Sequence, residues 1–182
     1  MRKRKSVLLL FVVLVILSLF LVSCELPELD TAVLNAGQDI DVGDVIVTNN
    51  ASHIYVGYQL DADIAEEGWE IIEMHLAVVQ TLEELPVNKA GNPLVGQFEF
   101  SRIYSFGDGI YEDYFEVMLP EEPDDDHYFI AAHALIARYN EDLQMVETES
   151  AWGNGTRFVT KGNWATYFEY DLYDQDFEVN PE

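Results

Sequence analysis

Glu73, His75 and His133 are the residues in this sequence best suited to chemistry. Glu73 and His75 stand two apart in the apolar run 69–79, which reads as a strand. That spacing puts both side chains on one face. His133 lies in a second apolar run, 128–139. Paired in suitable register, the two strands would bring two imidazoles and a carboxylate together, a set able to hold zinc or another divalent cation with open positions. The same groups could work as an acid/base pair, imidazole being the side chain most readily poised near neutral pH. A structural role competes with both and is favoured: a buried polar knot in which the groups satisfy one another and nearby amides. Buried polar groups are paired as a rule, and no H-E-x-x-H or comparable metal motif is present.

Trp69, Trp152 and Trp164 form a second constellation, each beside a turn or strand end. Aromatic faces near loops can stack on sugar rings while Asn, Asp and Glu read the hydroxyls, and Trp152-Gly153-Asn154-Gly155 and Asn163-Trp164 suit that use. Packing is favoured over binding, because a large ring buries well and its N–H needs one partner. Acidic loops are the third constellation. Asp61, Asp63, Glu66 and Glu67, and Asp124-Asp125-Asp126, offer hard oxygens to calcium, but the sixth position from Asp61 is Glu66 where an EF-hand needs glycine. A solvated acidic surface is the favoured reading. The sequence contains no G-x-S-x-G, no phosphate-binding glycine loop and no Cys-His pair. Asn50-Ala51-Ser52 and Asn154-Gly155-Thr156 match the glycosylation sequon and read as turns.

The elements that must position these residues are strands. Ile54, Val56, Tyr58 and Leu60 alternate along 53–60, and turn residues recur at short intervals. Short strands are expected at 38–42 and 44–48, joined at Gly43, with a turn at 49–52 and an acidic loop at 61–68. After the strand 69–79 comes a helical turn ended by Pro86 and a loop through 88–96. A ragged strand over 98–104, a hairpin turn at 107–109 and strands at 111–119, 128–139, 143–151, 156–160 and 164–173 complete the domain. The predicted fold is all-β, an antiparallel β-sandwich, with a closed β-barrel as the runner-up.

The start of the chain gives an address. Met1-Arg2-Lys3-Arg4-Lys5 precedes an apolar run from Val7 to Val22, then Cys24. A basic segment followed by an apolar one is a secretory signal, set aside from fold reasoning. Leu21-Val22-Ser23-Cys24 resembles the lipobox of bacterial lipoproteins. That resemblance implies cleavage before Cys24, a thioether-linked diacylglycerol on its sulfur and an acyl chain on the new amine. The expected organisation is a signal peptide at 1–23, a lipidated tether at 24–31, one monomeric domain at 32–173 and a disordered tail at 174–182. The expected location is the cell envelope, outside the cytoplasmic membrane. Cys24 is the only cysteine, so the rest of the chain has no disulfide, Cys metal site or Cys nucleophile.

Nine Lys plus Arg face 34 Asp plus Glu. Loss of Arg2, Lys3, Arg4 and Lys5 with the signal leaves five against 34, a formal charge of −29. Such a surface excludes nucleic acid as a partner, having no basic face to displace phosphate counterions. It also disfavours docking on anionic lipid, which leaves the acyl chains as the membrane contact.

Further stretches carry a second resemblance: Ala36-Gly37-Gln38, 69–76, 88–93 with Gly96-Gln97-Phe98, Ile130-Ala131-Ala132-His133-Ala134, Ala151-Trp152-Gly153 and Asn163-Trp164-Ala165-Thr166-Tyr167-Phe168. Together they cover most of the domain, and they resemble a secreted module of bacterial and archaeal surface proteins. The resemblance implies an extracellular setting and assigns no chemistry. The expected role is a non-catalytic binding or structural module of the envelope, with a glycan or an envelope protein as partner. A divalent-metal protein or metal-dependent enzyme built on Glu73, His75 and His133 is the first alternative. A carbohydrate-binding module using the tryptophans is the second.

Overall fold

The computed structural model of the protein describes residues 29–105, 107–121, 125–140 and 144–173. The signal segment, Cys24 with most of its tether, Asp124 and the 174–182 tail lie outside them. The strands are β1 (Asp30–Ala36), β2 (Ile40–Asn49), β3 (His53–Leu60), β4 (Trp69–Val79), β5 (Phe100–Ile103), β6 (Glu112–Met118), β7 (His127–Tyr139), β8 (Met145–Gly153), β9 (Thr156–Arg157) and β10 (Thr166–Asp171). Among the described residues a short helix, α1 (Ala62–Glu66), sits in the acidic loop, and 3-10 turns cover Leu82–Glu84 and Val95–Gln97. The first strand begins at Asp30, inside the stretch expected as tether, because Asp30 and Thr31 pair with Val47 and Ile46 of β2.

All-β and antiparallel is what the alternation predicts, and it is what forms. The strands follow the order β5-β4-β7-β8-β1-β2-β3-β6, with β10 added along β7 and β9 along β10. The sheet curls until its ends nearly meet, so its halves face each other across one core, closer to a barrel than to two separate layers. Side chains close the seam: Arg102 of β5 ion-pairs with Asp113 of β6, and the Tyr104 hydroxyl donates to the same carboxylate at 2.6 Å. Beside the seam, Leu60 N–H donates to Tyr111 O and Ile71 N–H to Ile110 O, both at 2.8 Å.

Leu34, Val45, Val47, Ile54 and Val56 meet Met74, Leu76, Ile130 and Ile136 in the interior, all fully or almost fully buried. Removing this apolar surface from water is the main stabilising force. The Tyr58 hydroxyl reaches across the core to donate to His75 O at 2.9 Å. A second apolar cluster lies on the outer face of β4, β7 and β8. There Ala77, Ala131 and Trp152 are covered by Leu85, Phe98 and Ala165, so β4 is buried on both faces.

Two bulges set which residues face where. In β4 the pairing passes from Ile71↔Ile136 to Glu73↔Leu135, leaving Ile72 as the extra residue. A straight strand would put Ile71, Glu73 and His75 on one face. The bulge instead keeps Ile71 in the core and turns Glu73 and His75 outward. In β2 the pairing passes from Leu34↔Gly43 to Asn35↔Asp41. The two short strands expected on either side of Gly43 are therefore one bulged strand.

Asn49, expected in a turn, is a buried residue of β2. Its Oδ1 accepts from the Tyr170 hydroxyl at 2.7 Å and from Tyr173 N–H at 3.0 Å, and its Nδ2 donates to Tyr173 O at 3.2 Å. One side chain thus ties the end of β10 to a strand 124 residues earlier.

Candidate functional site

Strand register brings the three polar candidates to neighbouring positions. His75 pairs directly with His133, and His133 with Trp152. The His75 and His133 rings lie 5.7 Å apart, centre to centre. His75 Nε2 donates to Glu73 Oε2 at 3.2 Å, since an ionised carboxylate can only accept. His133 Nε2 lies 3.3 Å from Ser150 Oγ, so its polar contact goes to β8 and not to Glu73. The Nδ1 atoms of both histidines are buried without a hydrogen-bond partner. Burial first, and then the proximity of His75, hold the His133 imidazole down to about 3, so it is neutral near pH 7. Among the described residues, no group of three or more His, Cys, Asp or Glu side chains is disposed to hold a metal ion.

The tryptophans divide. Trp69 pairs with Arg138 across β4 and β7, and that guanidinium lies 5.6 Å from its ring centre. Trp69 is separate from the other two. Trp152 is 4% exposed and sits 4.7 Å from the His133 ring, flanked edge-on by Phe98 and Phe158. Its remaining edge opens into a cleft of about 180 Å³ that Trp164 also lines. Trp152 therefore joins the polar knot to the aromatic cleft, two groups that look independent in chain order.

The cleft forms where β1, β8 and the β9–β10 hairpin meet on the outer face. Asn35 lies opposite Trp152 in the β1–β8 pairing, which brings its amide to the rim. Gln38 and Asp39 come from the β1–β2 turn, Asn154 and Arg157 from the segment after β8. Local bonds set the walls. Asn154 N–H donates to Val33 O at 2.7 Å, Thr166 Oγ1 donates to Gly153 O at 2.7 Å, and Ala165 N–H donates to Asn163 Oδ1 at 3.0 Å. Gly155 is required because a Cβ there would lie 2.2 Å from Tyr167 O. Gln38 holds a left-handed backbone, φ +88°, a conformation uncommon outside glycine. Its Oε1 accepts from Arg157 Nη2 at 3.5 Å, the edge of hydrogen-bond range. An aromatic wall ringed by amides, a hydroxyl, one carboxylate and one guanidinium can stack on a ring and bond its substituents.

Asn35, Gln38 and Arg157 escape a reading of chain order, because Gln38 and Arg157 are 119 residues apart. The available signal was compositional: Arg157 is one of only five basic residues after Cys24. The first acidic loop is a solvated turn around α1. Burial first, and then the neighbouring carboxylates of Asp41, Asp63 and Asp44, push the Asp61 carboxyl above its ordinary range. Glu70, not singled out by spacing, is buried, and its two oxygens accept from Gly107 N–H and Gly109 N–H at 2.9 Å each. It clamps the hairpin turn and takes no part in the cleft.

Comparison with protein-family models, with curated proteins and with solved structures returns no match. The functional reading therefore rests on the cleft's own residues.

Proposed function

We propose that the protein is a lipid-anchored envelope protein whose domain is a non-catalytic carbohydrate-binding module, with the Trp152–Trp164 cleft as its site. The observation that carries this reading is the convergence of two indoles with the side chains of Asn35, Gln38, Asp39 and Asn154 around one small cleft. Pockets of this kind combine apolar faces with a few placed polar groups. The buried imidazole of His133 backs Trp152 in this reading, and the Glu73–His75 pair lies behind it, outside the lining of the cleft. The lipobox-like Leu21-Val22-Ser23-Cys24 supports the anchor, and the surplus of carboxylates suits a solvated domain held off a membrane.

A glycan array tests the site. Wild type is expected to bind a subset of oligosaccharides, and Trp164→Ala and Asn154→Ala to weaken that binding about tenfold or more, as loss of a central contact does. Melting temperatures of the variants separate lost contact from lost fold. Absence of binding by wild type to any glycan, or full-strength binding by both variants, overturns the reading. The anchor has its own test in the intact mass of protein extracted from membranes. Wild type is expected to begin at a diacylglyceryl-modified Cys24, whereas Cys24→Ala keeps its signal segment. A wild-type mass without lipid removes the anchor.

A further inference from the structure

We infer that the cleft selects a sugar bearing an isolated carboxylate, a uronic acid flanked by neutral sugars, and that Arg157 is the residue that reads the acid group. The inference rests on the carbohydrate reading of the same cleft. Among the described residues the other two arginines are neutralised within the fold, Arg102 by Asp113 and Arg138 by Glu147. No carboxylate among the described residues lies within 4.0 Å of Arg157, and its one bond there is the 3.5 Å contact to the Gln38 amide oxygen. In a chain with 34 acidic residues this is notable, because the surrounding negative potential favours pairing. The fold instead leaves the guanidinium exposed at the mouth of an aromatic cleft. A guanidinium presents a planar fork of donors that matches a carboxylate with two parallel bonds, stronger and more directional than a neutral contact.

The rest of the lining narrows the ligand. The cleft is about 180 Å³, room for one sugar ring and not for a long polymer segment enclosed on all sides. Trp164 supplies the stacking face, while Asn35 and Asn154 supply amides for hydroxyl groups. Asp39, the one carboxylate in the lining, suits a hydroxyl donor and repels a second acid group. The acidic surface beyond the cleft repels any ligand with a charge on every residue. Like-charge juxtaposition is how an interface rejects wrong partners. One carboxylate is drawn to Arg157, and a dense polyanion is turned away.

The test compares three probes on the mature protein by titration calorimetry: a trisaccharide with one central glucuronate between neutral hexoses, its carboxyl-reduced counterpart, and a fully charged polyuronate. Wild type is expected to bind the glucuronate trisaccharide about tenfold more tightly than the reduced one, the scale of a charge-assisted pair, and the polyuronate least. Arg157→Gln is expected to collapse that preference, with affinity for the acid form falling to that for the reduced form. Arg157→Lys, which keeps charge but loses the fork, is expected to fall between. Equal binding of acid and reduced trisaccharides by wild type overturns the inference while leaving the carbohydrate reading standing. Tightest binding of the polyuronate overturns it as well. Failure of wild type to bind any of these probes or any glycan on the array removes both.

Discussion

Gly43→Ala is expected to cost the protein about 4 kcal/mol or more, a large fraction of the stability of an ordinary domain. At the β2 bulge Gly43 has φ +146°, and a Cβ built there lies 2.0 Å from Gln59 O and 2.8 Å from Leu60 Cα. Those are backbone atoms of the paired strand β3, so no side-chain rotation relieves the clash. Relief requires β2 and β3 to separate at the very pairing, Gly43↔Leu60, that starts their ladder. Gly57 is the control. It lies in the same strand pair with an unstrained backbone, and a Cβ there would stand 3.8 Å from its nearest neighbour. Gly57→Ala is expected to change stability by less than about 1 kcal/mol, since alanine costs less chain entropy than glycine in a strand. Urea unfolding of the two variants measures both values. Equal stabilities would show that the bulge tolerates a side chain.

The second large effect is on acid stability. His133 binds a proton in the folded state only near pH 3, against 6.5 for the free side chain. Between those values the unfolded chain holds more protons than the native one, so stability falls as pH drops through this window. The contribution is fully present above about pH 6.5 and gone below about pH 3, with a total on the order of 5 kcal/mol. His127 has the opposite sign. Its hydrogen bond to Asp171 raises its folded value, so that contribution is present in acid and lost as pH rises through the raised value. A His133→Asn variant isolates the larger effect, because titrations common to both proteins cancel in the difference. Denaturant unfolding at several pH values is expected to give a wild-type minus variant curve that falls steadily between pH 6 and 4. A flat difference would mean that His133 titrates normally and is not enclosed beneath Trp152.

How much of this was legible depends on how local each signal is. β3 at 53–60 and β4 at 69–79 match the alternation and the apolar run residue for residue. The bulge in β4 was also written in the chain, though less plainly. Trp69 and Ile71 fall on odd positions and Ile72, Met74, Leu76 and Val78 on even ones, so the run of larger apolar residues changes phase at the Ile71-Ile72 doublet, with Ala77 and Val79 apolar on the other face. Asn49 and Glu70 were not legible. Each looks like an ordinary turn or surface residue until Tyr170 and Tyr173, or Gly107 and Gly109, arrive from distant sequence. The three tryptophans look alike in chain order, yet only Trp152 and Trp164 share a cleft.

By itself the sequence determined that the chain folds as antiparallel strands with no disulfide, because alternation and cysteine count are properties of a few neighbouring residues or of composition. It also determined that Glu73 and His75 share a face, since a spacing of two does so in any strand. Only the tertiary structure decided which face, through a one-residue bulge, and that His133 turns to Ser150 and lies under Trp152. It alone placed Arg157 beside Gln38 with no acidic partner among the described residues. Register and sheet curvature are set by pairings across the whole chain, and a shift of one residue would move every one of these side chains to the opposite face.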